Sequence, residues 1–379
     1  MNKARYLLAF LMLLPCGVSL GDDPKQANSL QLTLPPEIYA VPGVETNIYF
    51  DNVVLTQTPE EYRFSVSSSL GKNSRQRWTF IPSEKDVGSH TLKITISDGE
   101  GEPLGIARTQ LQVVPADAGQ GCKVRLLIVG DSLTHASMYP NELFRLLSQL
   151  GNPETTMLGT HQPTRARLGV AHEGYGGWTW ERFTTKYEPN PDGTYRKRSS
   201  PFVYLGEDQK PILDVTRYIR EECDGVPPDV VIFMLGINDC FSAPAEDVAG
   251  IDKRIETMFT SAETLLKAVR KAAPDAEFGL CLTTPPNSRQ SAFEANYKDR
   301  YPRWGWKRIQ HRLVQRQIEH FGNQEAQRRF LIPTELNLDP VDGYPENNAV
   351  HPNESGYQQI GQSIYAWLKW RLSETAPSK

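Results

Sequence analysis

Residues 126–137 read LLIVGDSLTHAS, in which four apolar residues are followed directly by glycine, aspartate and serine. A short, continuous apolar run of this kind is typical of a strand buried on both faces of a parallel sheet. Two interpretations of the polar end stay open. Either Asp131 or Ser132 caps the helix that follows, or Ser132 is a nucleophile held at the carboxyl end of the strand.

The same pattern recurs through the carboxyl-terminal part of the chain. Strands are predicted at 124–130, 165–172, 229–236, 277–283 and 329–334. Helices are predicted between and after them, at 140–152, 251–273, 306–323 and 354–372. Apolar strands that alternate with helices indicate a parallel sheet covered on both faces. Residues 122–375 are therefore expected to form an α/β domain with a doubly wound, flavodoxin-like sheet of five parallel strands.

The preceding part, residues 28–115, has a different pattern of apolar and polar residues. Short runs such as LQLTL, TNIYF and HTLKITISD alternate apolar and polar residues, and proline and glycine separate them. This period-two pattern predicts a small all-β sandwich domain. Residues 81–101, IPSEKDVGSHTLKITISDGEG, resemble the late strands of immunoglobulin-like and cadherin-like modules. The stretch PADAGQG at 115–121 is expected to be a flexible linker.

Residues 1–21 have the features of a secretory signal peptide. The basic start MNKAR precedes the apolar run YLLAFLMLLPCGV, and the small residues SLG follow. The run is short for a membrane helix. We therefore expect a secreted or periplasmic protein with no membrane span. Its formal net charge of −4 also argues against nucleic acid as a partner, because phosphates attract basic surfaces.

Four cysteines follow the predicted signal peptide, an even number for an oxidising compartment: Cys122, Cys223, Cys240 and Cys281. Their positions beside predicted strand ends suggest the pairs Cys122–Cys223 and Cys240–Cys281, with four free buried thiols as the alternative. No C-x-x-C spacing occurs, so neither a zinc site nor a redox site is expected.

Polar residues follow several predicted strands, where a doubly wound sheet places its ligand sites. Ser132 ends the first strand, the segment HEGYGGWTW at 172–180 follows the second, and Asn238 follows the third. His351 comes directly before the last helix. Each of these is ordinary by itself. Together, a serine, a glycine-rich turn, an asparagine and a histidine supply what acyl transfer requires.

Four blocks, VGDSLT, EGYGGWT, LGINDC and VHPNESGY, resemble in sequence, order and spacing the SGNH hydrolases, also called GDSL esterases. The resemblance covers about residues 123–373. It implies Ser132 as the nucleophile and His351 as the general base. It also implies an oxyanion hole formed by the backbone N–H groups of Ser132 and Gly177 and the side-chain amide of Asn238. No metal or organic cofactor is expected.

The chain departs from the family pattern three residues before the histidine, where Asn348 replaces the usual aspartate. An amide oxygen accepts a hydrogen bond from imidazole but stabilises imidazolium less than a carboxylate does. Three interpretations remain. Asn348 orients His351 in a working site, Glu346 or Asp342 supplies the carboxylate instead, or the site is inactive.

We favour an exported serine esterase that cleaves small acyl esters through a Ser132 acyl-enzyme, with O-acetyl groups on carbohydrate as the expected substrates. The alternatives are a weak or inactive SGNH-fold protein that binds glycan, and a carbohydrate O-acyltransferase. Asp131 and Asp239 are interpreted as loop-bonding and capping residues rather than catalysts. His135 is expected either in the pocket wall or on the surface.

Overall fold

The structure, a computed structural model, describes residues 30–189 and 199–375, so the predicted signal peptide lies outside the described residues. The amino-terminal region is rich in β-strands. Its elements are β1 (Glu37–Ala40), β2 (Thr46–Tyr49), α1 (Phe50–Val53), β3 (Arg63–Ser67), β4 (Lys72–Asn73), β5 (Arg77–Phe80), β6 (Gly88–Ser97) and β7 (Pro103–Val113).

These strands form two sheets, in the orders β1-β7-β6-β3 and β2-β5-β4. All pairings are antiparallel except that of β1 with β7. The alternation seen in the sequence has a direct structural counterpart in β6, where Leu92, Ile94 and Ile96 are fully buried and their neighbours are not. Residues of both sheets, Trp78 of β5 among them, join these side chains in one apolar cluster.

The remaining residues form the α/β region. Its strands are β8 (Lys123–Gly130), β9 (Glu154–Leu158), β10 (Glu173–Gly174), β11 (Val203–Leu205), β12 (Pro211–Leu213), β13 (Val230–Met234), β14 (Glu277–Cys281) and β15 (Arg329–Ile332). Its helices are α2 (Ser132–His135), α3 (Met138–Leu147), α4 (Trp180–Thr185), α5 (Val215–Glu222), α6 (Ile237–Cys240), α7 (Val248–Ala272), α8 (Gln290–Tyr297), α9 (Arg303–Phe321), α10 (Thr334–Asn337) and α11 (Glu354–Thr375). None of the helices in the described ranges combines the length and the apolar character needed to cross a bilayer.

The central sheet is parallel and has six strands rather than the five predicted. Its order is β10-β8-β13-β14-β15, and β9 also pairs with β8. β9 pairs with residues 123–127 of β8, whereas β10 pairs with residues 129–130. Two short strands therefore occupy one edge position in succession, and the chain between them runs outside the sheet.

Helices cover both faces of this sheet. On one face of the sheet, Leu127 and Val129 of β8 pack with apolar residues of α4, α5, α7 and α9, and this group is called the first-face cluster. On the opposite face, Leu126 and Ile128 pack with apolar residues of α3 and α11, and this group is called the second-face cluster. Because both sides of each strand are buried, the strand sequences are continuously apolar, as the sequence pattern indicated.

The strand predicted at 165–172 is wrong. That segment is made of turns, and the edge strands lie on either side of it, at β9 and β10. His161 and His172 form one isolated antiparallel bridge, which closes the segment into a loop. β9 begins with three consecutive polar residues, and only its last two, Met157 and Leu158, are buried, so its sequence lacks the continuous apolar run by which the central strands were predicted.

The predicted disulfide pairs are also wrong, since all four thiols are free. Cys240 belongs to the first-face cluster, with its sulfur 3.9 Å from that of Met258, whereas Cys281 belongs to the second-face cluster. The sheet therefore separates these two side chains. Cys223 is buried in the first-face cluster, but Cys122 is half-buried outside it, just before β8.

The segment predicted as a flexible linker is a series of hydrogen-bonded turns. The N–H of Ala118 donates to Pro115 O at 3.1 Å, and the N–H of Cys122 donates to Gly119 O at 3.0 Å. A Cβ at Gly119 would lie 2.7 Å from Leu372 of α11, so this turn is packed closely against the last helix.

The amino-terminal region is joined to the α/β region by buried polar contacts. Lys307 of α9 is 1% exposed, and its ammonium lies 3.2 Å from the Asp51 carboxylate and also bonds the Asp51 carbonyl. The other carboxylate oxygen of Asp51 accepts a 3.1 Å bond from the Ser288 hydroxyl. The amide of Asn52 donates to the carbonyls of Glu335 and Leu338, at 2.8 and 2.9 Å.

Candidate active site

Ser132 lies at the sharp turn between β8 and α2. A Cβ at Gly130 would lie 1.9 Å from the Thr134 hydroxyl, so only glycine permits the chain to turn this tightly. Asp131 is the N-cap of α2, and its carboxylate accepts a 3.0 Å bond from the N–H of Leu133. The cap and the nucleophile of the two sequence interpretations are thus adjacent residues, Asp131 and Ser132.

His351 lies on the loop before α11 and reaches Ser132. Its Nε2 is 2.8 Å from the Ser132 hydroxyl, and its Nδ1 is 3.2 Å from Asn348 Oδ1. The same Asn348 oxygen accepts bonds from the backbone N–H groups of Val350 and His351, at 3.2 and 2.9 Å. Two backbone donors therefore hold the oxygen, and not the NH₂ group, of Asn348 towards the imidazole.

The two carboxylates considered in place of Asn348 lie elsewhere. The side chain of Asp342 is 87% exposed and lies 3.8 Å from the Arg289 guanidinium. Glu346 is also exposed. The ring nitrogens of His351 contact Ser132 and Asn348, and neither Glu346 nor Asp342 is among the hydrogen-bond partners of this imidazole in the structure.

A short segment before α8 holds the histidine loop. The side chain of Asn287 donates to the carbonyls of Pro345 and Asn348, both at 2.9 Å, and its N–H donates to Ala349 O. Asn296 of α8 accepts a 2.7 Å bond from the N–H of Ala349. These bonds fix the backbone that carries Asn348 and His351.

The glycine-rich turn lies beside the serine turn. The N–H of Tyr175 donates to Gly130 O at 3.0 Å, which ties the two turns together, and the N–H of Trp178 donates to Tyr175 O at 3.2 Å. Gly177, the third residue of this second turn, has a φ of +74°, a conformation that other residues rarely adopt. Gly177 is exposed.

The N–H of Gly174 is already used. It donates to His172 Nδ1 at 3.1 Å, and a Cβ at Gly174 would meet Thr134 at 2.5 Å. Gly174 therefore serves the packing of the glycine segment against α2.

Asn238 lies at the start of α6, after β13. Its amide donates to Trp178 O at 3.0 Å and to the Asp131 carboxylate at 3.4 Å. These contacts hold the amide group between the serine turn and the glycine-rich turn. The structure thus brings Ser132, Asn238 and the glycine turn together at the carboxyl ends of β8, β13 and β10.

Burial shapes the charges around this site. It lowers the pKa of His351 below its usual value, which keeps the imidazole neutral at physiological pH. Burial also raises the pKa of Asp131 and that of Asp239 to about 7. Asp239 accepts a 3.1 Å bond from the N–H of Trp180, as expected for a residue that orders a loop.

A cluster of histidines beside α2 was not predicted. His135, which is exposed, lies 2.8 Å from His161, ring nitrogen to ring nitrogen. The His161 ring stacks on that of Tyr175, and His172 accepts or donates a 2.9 Å bond with the Ser137 hydroxyl. The sequence holds no signal for this cluster, because the loop between β9 and β10 brings His161 back to α2. The described residues contain no group of three side chains arranged to hold a metal ion.

Glu173 was also missed as an organising residue. Its buried carboxylate accepts bonds from the hydroxyls of Tyr175 and Tyr218, at 2.5 and 2.7 Å, and from the N–H and hydroxyl of Thr160. Burial raises its pKa. Four donors on one buried carboxyl group anchor the glycine-rich segment to α5 and to the end of β9.

The family model described as GDSL-like Lipase/Acylhydrolase matches residues 126–364. No curated protein matches the chain.

Solved structures similar to this chain include a family 3 carbohydrate esterase of Clostridium thermocellum, with 17% identity, a TM-score of 0.43, and coverage of 67% of this chain and 100% of that one. A family 3 carbohydrate esterase from Talaromyces cellulolyticus has 18% identity, a TM-score of 0.41, and coverage of 67% and 100%. The acetyl xylan esterase AlAXEase has 15% identity, a TM-score of 0.35, and coverage of 65% and 100%.

The family model spans well over half of the chain and includes Ser132, Gly177, Asn238 and His351. The chain therefore belongs to the GDSL-like lipase/acylhydrolase family and is an SGNH-type ester hydrolase.

Proposed function

We propose that the protein is an exported serine esterase that releases small acyl groups, O-acetyl groups on carbohydrate in particular. The 2.8 Å contact between His351 Nε2 and the Ser132 hydroxyl carries this proposal. A serine is activated when a base lies within hydrogen-bond distance of its hydroxyl and a third group holds the far side of the imidazole.

In the first half of the reaction, Ser132 Oγ attacks the ester carbonyl carbon and its proton moves to His351 Nε2. The carbonyl oxygen becomes an oxyanion, which the N–H groups of Ser132 and Gly177 and the amide of Asn238 stabilise. The tetrahedral intermediate collapses, the C–O bond to the alcohol breaks, and His351 gives its proton to the leaving alcohol. The acyl group remains on Ser132.

In the second half, His351 takes a proton from water, and the resulting hydroxide attacks the acyl carbon. Collapse of the second tetrahedral intermediate releases the carboxylic acid and returns the proton to Ser132. No other group needs to change its charge, since the imidazole serves as base and then as acid in each half.

Asn348 fills the position of the usual acid without imposing the wrong tautomer. An amide that turns its NH₂ group to Nδ1 would force the proton onto Nε2, where it would block acceptance from serine. Here the backbone donors of Val350 and His351 hold the Asn348 oxygen towards Nδ1. His351 then carries its proton on Nδ1 and presents a free Nε2 lone pair to Ser132.

Export and the domain organisation support a carbohydrate substrate. The signal-peptide pattern at 1–21 supports export to a compartment in which acylated glycans occur. We assign residues 28–115 to an immunoglobulin-like or cadherin-like sandwich and residues 122–375 to the hydrolase domain. The buried contacts of Asp51 with Lys307 and Ser288 favour a sandwich that packs on the hydrolase domain over a loosely tethered one.

The second candidate is an inactive member of the family that only binds glycan. Asn348 at the position of the usual acid is the observation that favours it. Hydrolysis of p-nitrophenyl acetate separates the two, with Ser132→Ala as the test variant and Ser148→Ala, at the far end of α3, as the matched control. The esterase proposal expects activity in the wild type and the control and background rates in Ser132→Ala. Background rates in all three proteins support the binding protein.

A further inference from the structure

A cleft of about 720 Å³ opens between the amino-terminal region and the α/β region. Its volume is in the range of pockets that hold small ligands, and the junction of two domains is a common place for such a site. Gln57, Arg75 and Gln76 line it on the amino-terminal side, and Arg303 and Pro340 line it on the other. None of these residues belongs to the catalytic site described above.

The lining offers hydrogen-bond donors and acceptors together with apolar surface. The Arg75 and Arg303 guanidinium groups donate, the Glu60 carboxylate accepts, and the two glutamine amides do both. Pro59, Phe64, Pro340 and Val341 add carbon surface. A sugar ring has the matching character, with hydroxyl groups around its edge and C–H groups on its faces.

The charges in the cleft favour a neutral ligand. Lys307 compensates the Asp51 carboxylate, and an oxygen of Asp339 accepts bonds from the N–H groups of Val341 and Asp342, at 2.8 and 3.0 Å. Arg75, Arg303 and Glu60 line the same cleft, and the Arg75 guanidinium donates to the backbone O of Glu60 at 3.2 Å. No excess of positive charge remains to select an anionic sugar over a neutral one.

The cleft shares a loop with the catalytic histidine. Pro340 and Val341 line the cleft, and the same loop continues to Asn348 and His351. The N–H of Ser288, another lining residue, donates to Pro340 O at 2.7 Å. A ligand in this cleft therefore contacts the base of the loop that carries the active-site histidine.

We propose that the cleft binds a neutral oligosaccharide segment of the polymer whose ester is cleaved at Ser132. The proposal rests on the proposed esterase function. Because none of the lining residues belongs to the catalytic site, binding at this cleft holds the polymer to the enzyme and leaves the chemistry of a small ester unchanged.

The test uses the double variant Arg75→Ala/Gln76→Ala, whose side chains are exposed, with Arg108→Ala on β7 as a matched control. Kinetics are measured on acetylated xylan and on p-nitrophenyl acetate. We expect KM for acetylated xylan to rise about tenfold in the double variant only, with kcat/KM for p-nitrophenyl acetate unchanged. An unchanged KM for the polymer, or an equal loss on both substrates, overturns the proposal.

Direct binding separates this proposal from the esterase proposal. Titration calorimetry of the full-length Ser132→Ala protein with unacetylated xylohexaose, cellohexaose and mannohexaose requires no hydrolysis. We expect at least one hexasaccharide to bind and the Arg75→Ala/Gln76→Ala changes to weaken that binding about tenfold. Absence of binding by all three overturns the cleft proposal, whatever the rate on p-nitrophenyl acetate, whereas inactivity of the wild-type protein on p-nitrophenyl acetate contradicts only the esterase proposal.

Discussion

Replacing Asn348 by aspartate tests the proposed role of this residue most directly. The new carboxylate keeps the oxygen that accepts from Val350 and His351, so the loop geometry is retained. It places a negative charge about 3.2 Å from His351 Nδ1, where the wild type has a neutral amide oxygen. The change therefore adds stabilisation of the imidazolium without altering the tautomer.

The size of the effect follows from the difference between two kinds of hydrogen bond. A neutral bond contributes about 1 kcal/mol and a bond to a charged group about 1.5–3 kcal/mol. The imidazolium forms in both transition states, so the difference, about 0.5–2 kcal/mol, acts on the barrier. We expect kcat/KM on p-nitrophenyl acetate to rise about tenfold at pH 8.

The same interaction changes the pH dependence. Burial keeps the pKa of His351 below its usual value, and the base acts only when neutral, so activity falls as the pH drops through that pKa. A carboxylate beside Nδ1 raises the pKa of His351. The acid limb of the kcat/KM profile in Asn348→Asp should therefore lie about one pH unit above that of the wild type.

The assay measures kcat/KM from pH 4 to 9, with Asn347→Asp as the control. Asn347 is exposed and adjacent, so this variant adds the same charge without the contact to His351. If Asn348→Asp leaves both the rate at pH 8 and the acid limb unchanged, or if Asn347→Asp reproduces its effects, the assigned contact does not act on the imidazole.

Three further substitutions test other parts of the structure. Asn238→Ala should lower kcat about 10²–10³-fold with a smaller effect on KM, because an oxyanion donor acts mainly in the transition state. A fall in kcat/KM that comes from a higher KM alone, with kcat unchanged, would contradict that role. Lys307→Met should lower the free energy of unfolding in urea by about 3–5 kcal/mol, because it leaves the Asp51 charge without its buried partner, and adding Asp51→Asn should recover part of the loss. Burial raises the pKa of Glu335 to about 8, and its carboxyl oxygens have no partner among the described residues. Between about pH 4.5 and 8, the folded state therefore keeps on Glu335 a proton that the unfolded state has released. The free energy of unfolding falls as the pH rises through this window, by up to about 1.4 kcal/mol per pH unit. Glu335→Gln should flatten that slope in urea titrations at pH 5 and 8, and an unaltered slope would contradict the assignment.

The sequence sufficed to predict the parts of the fold that depend on local pattern. The apolar run that ends at Gly130 is β8, and the residues placed after strand ends, Ser132 and Asn238, lie together because parallel strands end at one edge. His351 could be placed there only through the four-block resemblance, since the residue follows no strand directly.

What the sequence left open depends on contacts between distant segments. β9 is short and half polar, so the sequence pattern favoured a strand at 165–172 instead. Only the pairing with β8 distinguishes the true strand from that segment. The alternation along β14 does carry a usable signal for the cysteines. Leu280 faces the first-face cluster, and the next residue, Cys281, must face the opposite side, away from Cys240.

No sequence pattern predicted the ion pair of Asp51 and Lys307, because 256 positions separate the two residues and neither lies in a recognisable motif.

That buried ion pair has a practical consequence for anyone who shortens the chain. A fragment that starts at residue 122 keeps the whole family match but lacks Asp51, so Lys307 loses its counter-ion and the carbonyls of Glu335 and Leu338 lose the Asn52 amide. It also uncovers Leu336, which the described structure buries among side chains of the amino-terminal sheets. Such a truncation should yield an aggregation-prone product, and recombinant work on the hydrolase is best done with both regions present.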